Sequence, residues 1–288
     1  MFNVSVVGLR RLSPSFLRVT FGGDALRDFA DNGLDQRIKL IFPAPEGGYE
    51  GLVEGERWYQ ALRRLPEPKR PTVRTYTVRY ARPEVAELDV DIVIHPPESH
   101  SGPALDWALN ARIGDEIVVL GPNARYDGVH GGIDFKAPQG SEVLVGGDET
   151  ALPAIAAICE GLPEDAVGRV VVEVPDSLDI GDLKAPTGVE ITWIPRDGHP
   201  RGSSFVGTFC AAADELSIPQ GDSQCAEIDI DSEILWELPD AEARQPGYVW
   251  LAAEAGVVKQ VRTVLRKERG MDRNALALMG YWKDGRSL

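Results

Sequence analysis

Val143-Leu144-Val145-Gly146-Gly147-Asp148-Glu149-Thr150-Ala151-Leu152-Pro153-Ala154 passes from a β-branched apolar run through two glycines and two carboxylates into a helix-forming segment. Its pattern predicts a strand over residues 142–146, a turn over 147–150 and a helix over 151–161. A strand ending in glycine at the head of a helix is the arrangement that receives nucleotide phosphates. The first helical amides are unpaired, and a residue without a side chain lets an anion approach them. The spacing is neither G-x-G-x-x-G nor a Walker loop.

Downstream, strands are predicted over 169–174, 189–194, 248–252 and 275–279, with a helix over 254–269. The long polar run 196–246 carries a helix near 208–216 and an acidic excursion at 227–242. Strands alternating with helices imply a parallel sheet covered on its faces. Upstream the pattern changes. Short alternating runs at 4–7, 16–21, 37–42, 73–80, 86–94 and 116–120 are separated by turn signals such as Gly22-Gly23-Asp24, which favours a small antiparallel barrel. The fold class is therefore two-domain: an N-terminal antiparallel β-barrel over residues 1–138 and a C-terminal α/β domain with a parallel sheet over 139–288.

The chain has 288 residues and a formal net charge of −15, which argues against nucleic-acid partners and anionic membranes. No uncharged run reaches the roughly 18 residues of a membrane span. The first residues, Met1-Phe2-Asn3-Val4, lack the basic start and apolar centre of a signal peptide, so the expected location is the cytoplasm. Cys159, Cys210 and Cys225 form neither a disulfide framework nor a zinc or iron–sulfur spacing, and no metal site is predicted. Charge is uneven. Residues 56–82 carry a net +6 and residues 254–288 a net +4, against −25 elsewhere. On a regular helix Lys259, Arg262, Arg266 and Arg269 share one face, opposite the apolar stripe Val257, Val261, Val264 and Leu265.

Three further stretches carry chemistry. In Arg74-Thr75-Tyr76-Thr77-Val78-Arg79, an arginine suited to a phosphate stands two residues before a flat ring, with a threonine hydroxyl beside it. Strand alternation puts Arg74, Tyr76 and Val78 on one face. His95 precedes Gly102-Pro103-Ala104-Leu105-Asp106-Trp107, where a glycine opens a short helix. Near the end, Gly280-Tyr281-Trp282-Lys283 places aromatics and a cation after the last strand.

Taken in order, these pieces resemble the siderophore-interacting proteins, the ferric-siderophore reductase branch of the ferredoxin–NADP reductase superfamily. The likeness runs from Gln36-Arg37-Ile38-Lys39-Leu40 to Gly280-Tyr281-Trp282 and covers almost the whole chain. It implies FAD in the barrel, held by Arg74, Tyr76, Thr77, His95, Gly102, Pro103 and Ala104. It implies NADPH or NADH as electron donor at Gly147, Asp148, Glu149 and Thr150. It also implies a ferric siderophore as substrate in a basic pocket for which Lys259, Arg262 and Lys283 are the candidates. Two positions depart from the family pattern: Leu105 replaces a hydroxyl residue, and Ala253 replaces a glycine.

The implied chemistry is flavin-mediated, with no catalytic side chain. The choice of dinucleotide stays open, since Glu173 and Asp176 point to NADH and Arg196 to NADPH. Alternatives are a general NAD(P)H flavin reductase or electron-transfer flavoprotein, one with a protein as electron donor, and a non-catalytic siderophore-binding protein.

Overall fold

The computed structural model describes residues 1–55, 57–94, 102–222 and 226–285. His95 and Cys225 lie outside the described residues. The chain divides into two compact units, Met1–Gly132 and Ile133–Leu288, the first ending short of the expected residue 138.

The first unit contains strands β1 (Phe2–Ser13), β2 (Phe16–Gly22), β3 (Arg37–Phe42), β4 (Thr72–Thr77), β5 (Tyr80–Arg82), β6 (Glu87–Val93) and β7 (Glu116–Leu120). They form one antiparallel sheet in the order β4-β3-β7-β1-β2-β6-β5. Its two edge strands, β4 and β5, are separated in sequence only by Val78 and Arg79. Val78 N–H still donates to Gln36 on the β3 side (2.9 Å), whereas Arg79 N–H donates to Asp89 on β6 (2.9 Å). Two residues thus step from one edge to the other, and the sheet must curl into a barrel to allow it. The single strand expected over 73–80 is broken at this corner.

Alternating inward residues, among them Val6, Val19, Phe21, Leu40, Val90 and Val119, fill the barrel. Helix α1 (Trp58–Arg64) lies in the β3–β4 connection. Helix α2 (Pro103–Asn110) packs on β3 and β4 through Ala104 and Ala108, one turn apart. Trp107 meets Phe42 edge-on at 5.3 Å. Proline suits the first helical position because its missing N–H has no partner there in any case. The basic segment 56–82 does not act as one patch. Arg82 pairs with Asp89 and Glu87, and Arg79 stacks on Tyr80 with its guanidinium carbon 4.0 Å from the ring centre.

The second unit contains β8 (Glu142–Gly147), α3 (Leu152–Gly161), β9 (Val167–Val174), β10 (Gly188–Pro195), α4 (Phe205–Asp214), β11 (Trp236–Glu237), β12 (Gly247–Glu254), α5 (Ala255–Arg262) and β13 (Leu276–Trp282). The sheet order is β10-β9-β8-β12-β13-β11, parallel except for β11 at the edge. Successive strands run outward from β8 in one direction and then, from β12, in the other. The β8–β12 junction is therefore the topological switch point, where open α/β sheets bind ligands beyond the carboxyl ends of their strands.

Three expectations change. Gly147 belongs to β8 with Gly146, and not to the turn expected over 147–150. A Cβ on Gly147 would overlap the Ala252 carbonyl oxygen, and one on Gly146 would lie 2.5 Å from the Phe209 ring. These glycines serve close packing inside the sheet. The acidic excursion contains a strand, β11, held by Trp236 stacking on Tyr281 (5.7 Å) and donating from Nε1 to Asp134 (3.1 Å). Tyr281 and Trp282 lie inside the last strand rather than after it.

Gly147→Ala is expected to destabilise the protein by about 3 kcal/mol, because strand backbone has nowhere to move. Gly207→Ala, in α4 with open space at the Cβ position, is expected to stabilise it by about 0.5–1 kcal/mol. Calorimetric melting of both variants checks the contrast.

Candidate functional site

In the barrel, the β3–β4 ladder places Arg74 opposite Leu40 and Tyr76 opposite Ile38, so both side chains share the face of these core residues. Arg74 is half-buried and donates to its neighbour Val73 O (2.8 Å). Tyr76 packs its ring against the barrel cluster, and burial, only partly offset by Arg74, pushes its phenol up to about 12. It is a neutral flat ring at any physiological pH. Thr77 is buried at the corner where the chain leaves β4. At the head of α2, Gly102 has open space where a Cβ would stand. Ala104 turns its methyl into the barrel core, which leaves only its backbone for a ligand. A half-buried arginine, a neutral aromatic face and an open helix head fit the pyrophosphate and ring system of a flavin dinucleotide.

In the segment after β7, sequence reasoning reached Gly121-Pro122 and missed the polar residues beyond it. A cavity of about 470 Å³ is lined there by Gln36, Arg37, Gly121, Asn123, Tyr126 and His130 among others. A chain of side chains fastens the segment to β3. Gln36 Nε2 donates to Arg37 O and Gly131 O, and Asn32 Nδ2 donates to Gln36 Oε1 (2.7 Å). His130 bridges Asn32 Oδ1 and Asn123 O at 3.2 and 3.0 Å. Single polar residues far apart in sequence carry no periodic signal, so nothing in the chain announces this clasp.

At the switch point of the second unit, the sequence motif turns inward. Asp148, 2% exposed, accepts from Thr150 N and Oγ1, from Glu254 N (2.8 Å) and from Trp282 Nε1 (2.8 Å). One carboxylate thereby ties together the carboxyl ends of β8, β12 and β13. Glu149, fully buried, is gripped by two guanidinium groups. Arg196 donates to both of its oxygens (2.8 and 3.1 Å), as does Arg201 (2.8 and 2.9 Å). Glu173 near the end of β9 accepts from Arg196 (3.1 Å) and Gly202 N (2.8 Å). Arg201 also stacks over the Trp282 ring, 4.5 Å from its centre.

The three carboxylates respond differently. Burial raises Glu149, but hydrogen bonds from Arg201 and Arg196 outweigh it and hold the group down at about 2. Asp148 is raised by burial and by the charge of Glu149, with Arg201, Thr150 and Trp282 opposing. Glu173 is raised by burial, opposed by Gly202 N–H and Arg196. Asp148 and Glu149, expected at the nucleotide cleft, both turn inward and are engaged by partners of this unit. Thr150 is half-buried and donates its hydroxyl to Asp148. Beside them Glu254 caps α5, its carboxylate accepting from Gly256 N and Val257 N.

The cationic helix face does not form as expected. Arg262 donates through Nε and Nη2 to Glu237 (2.9 and 2.7 Å) and through Nη1 to Ala226 O, with its side chain 8% exposed. The helix becomes π-helical over Thr263–Glu268, and the wider turn carries Arg266 inward, where it donates to Met271 O (2.9 Å). Arg269 donates to Cys210 O and pairs with Asp214. Regular helical angles presumed a free outer face, but the excursion covers part of it and the winding changes. Lys283 pairs with Asp231 and donates to Ile230 O. Lys259 and Lys283 both act on Asp229, whose carboxyl is lowered first by Asp231 N–H and then by the Ser232 hydroxyl. Lys283 is therefore bound to this acidic turn, and Arg262 anchors the segment that carries it.

A flavin-fitting barrel followed by a doubly wound nucleotide unit defines the ferredoxin–NADP reductase-like class. The ferredoxin–NADP⁺ reductase of Plasmodium falciparum shares this fold, with a TM-score of 0.56 at 13% identity over 95% of this chain and 92% of its own. Within that class, residues 5–126 match the siderophore-interacting FAD-binding domain and residues 140–285 the siderophore-interacting protein domain. The chain belongs to the siderophore-interacting protein family. The ferric vibriobactin reductase ViuB of Vibrio cholerae is 31% identical over 96% of this chain and 87% of its own length. The NADPH-dependent ferric-chelate reductase of Escherichia coli is 31% identical over 67% of this chain and 71% of its own. The crystal structure of a siderophore utilization protein from T. fusca is 31% identical, with a TM-score of 0.72 over 99% of this chain and 94% of that one.

Glu149→Gln is expected to destabilise the protein by about 3 kcal/mol, because it leaves two half-buried guanidinium groups facing one neutral amide. Asp148→Asn keeps a carbonyl oxygen for its donors and is expected to cost less. Glu149 titrates lower in the folded protein than unfolded, so its contribution is complete above about pH 4.5 and is lost as pH falls toward about 2. Urea unfolding between these pH values should show that loss in the parent and not in Glu149→Gln.

Proposed function

We propose that this protein is a FAD-dependent ferric-siderophore reductase that takes electrons from NADH or NADPH, reduces siderophore-bound Fe(III) to Fe(II), and works in the cytoplasm. The observation that carries the reading is Arg74, Tyr76 and Thr77 on one barrel strand, in a chain whose second unit has an open switch-point sheet.

Bound FAD supplies the conversion of a two-electron hydride donor into single electrons. The residues supply position and charge. Arg74 and the first amides of α2, with Gly102, Pro103, Ala104 and His95, are assigned to the pyrophosphate; the guanidinium offers a bidentate partner and Gly102 leaves room. Tyr76 offers its neutral ring to the flavin system, and Thr77 a hydroxyl at the buried corner of the barrel. In the second unit Gly147 and Thr150 border the nucleotide's place. Asp148 and Glu149 hold its floor rigid and exclude water from beneath it.

Lys259 and Lys283 are assigned to the anionic ferric siderophore. Lys283 is paired with Asp231, which a more highly charged ligand would displace, while Arg262 fixes the segment that carries this turn. Reduction lowers the charge on iron, and its attraction to anionic oxygen ligands falls in proportion. The metal leaves as cargo.

The test is anaerobic visible absorbance of the purified protein. The flavin bands are expected to bleach on addition of NADH or NADPH and to return with ferric siderophore as an Fe(II)–chelator complex appears. Bleaching without reoxidation by the siderophore favours a general electron-transfer flavoprotein, and a colourless protein that binds the siderophore favours a carrier. Lys259→Ala with Lys283→Ala is expected to raise the apparent KM for an anionic ferric siderophore about 5–10-fold and to leave the rate of flavin bleaching unchanged.

A further inference from the structure

NADH and NADPH differ in one phosphate, on the 2′ oxygen of the adenosine ribose. In a sheet of this order, the residues following the second strand decide whether that phosphate is welcome. A carboxylate there accepts from the free ribose hydroxyls, whereas a nearby arginine receives the phosphate. Here the second strand is β9. It ends at Val174 and is followed by Pro175-Asp176-Ser177-Leu178-Asp179. Its neighbour β10 ends at Pro195 and is followed by Arg196-Asp197. The two ends are pinned together, Arg196 N–H donating to Val174 O (2.9 Å) and Asp197 N–H to Pro175 O (3.1 Å).

The charges at these ends are unequal in availability. Arg196 is the cation nearest the strand ends, and its guanidinium is 12% exposed and committed to Glu149 and Glu173. Arg201 is committed to Glu149 and lies 3.6 Å from Asp148. With every member ionised, this cluster holds three carboxylates against two guanidinium groups, so it offers an incoming phosphate no surplus positive charge. Lys184 is exposed, but it stands four residues before β10 begins, on the return run toward the opposite end of the sheet. The carboxylates, by contrast, remain available. Asp176 is half-buried and caps the short turn after β9, its carboxylate accepting from Leu178 N–H (2.7 Å) and from Asp179 N–H. Asp197 is exposed, held in a left-handed turn (φ 46°), and accepts from Ser177 N–H (2.8 Å). A carboxylate has about four lone-pair directions, so both can accept more. Two further titratable groups lie near these ends: Asp179, buried and accepting from Asp176 N–H (3.2 Å), and His199, exposed two residues beyond Asp197.

We propose that the adenosine-ribose end of this nucleotide site is built for the unphosphorylated ribose, so that the electron donor is NADH, with Asp176 accepting from the ribose hydroxyls and Arg196 withheld in the buried cluster. The proposal rests on the dinucleotide reading of the second unit given above. It separates this chain from the E. coli relative whose name records NADPH dependence.

The test is calorimetric binding to the purified flavoprotein of two non-reducing analogues, 1,4,5,6-tetrahydro-NADH and 1,4,5,6-tetrahydro-NADPH. The NADH analogue is expected to bind at least about tenfold more tightly. Asp176→Asn keeps an oxygen for Leu178 N–H and removes one charge, so it is expected to narrow the ratio several-fold with an unchanged melting temperature. Equal or tighter binding of the NADPH analogue overturns the proposal while leaving the dinucleotide reading intact. An unchanged ratio in Asp176→Asn overturns the assignment to that residue. Binding of neither analogue overturns the dinucleotide reading and this proposal with it.

Discussion

Two guanidinium groups closing on the buried carboxylate of Glu149 are the interaction on which the second unit depends. Isolated, that carboxylate would cost several kcal/mol to bury. Paired with Arg196 and Arg201 it stays ionised and fixes the segment that follows β10 against the end of β8. The neighbouring Asp148 joins β8, β12 and β13, and Trp282 is held between Asp148 and Arg201. A sheet edge that would otherwise fray at its carboxyl ends becomes a rigid rim at the switch point. Binding sites profit from such rims, because a ligand then need not supply the cost of ordering them.

Much of the architecture was legible because it rests on local pattern. Alternation in the first half and strand–helix succession in the second give a barrel and a parallel sheet, and Gly102-Pro103 announces α2. The Arg74-to-Thr77 motif lies on a barrel strand, with Arg74 and Tyr76 on one face as alternation suggested. What could not be read depends on partners distant in sequence. The break at Val78-Arg79 follows from barrel closure, which a run of β-formers does not reveal. The inward turn of Asp148 and Glu149 requires Arg196, Arg201, Glu254 and Trp282, all about 50 to 130 residues away. The His130 clasp joins positions 32, 36, 123 and 130 in the same way.

The charge distribution shows the same division. Counting placed basic islands at 56–82 and 254–288 on an acidic chain, and the counts hold. Availability is another matter. Arg79, Arg82, Arg262, Arg266 and Arg269 are each occupied by a ring, a carboxylate or a carbonyl within the fold. Lys283 is likewise engaged, by Asp231 and by Ile230 O. Cation density along a sequence therefore overstates the field a substrate meets, since structural arginines in α/β sheets are commonly drawn into internal pairs.

The electron balance of iron reduction is the most direct measure of the account. A hydride donor gives two electrons and ferric iron accepts one. The purified protein under anaerobic conditions should thus form two chelatable ferrous ions for each dinucleotide oxidised, at a rate set by both substrates. Dinucleotide consumption without ferrous iron, or iron release without dinucleotide oxidation, would contradict it.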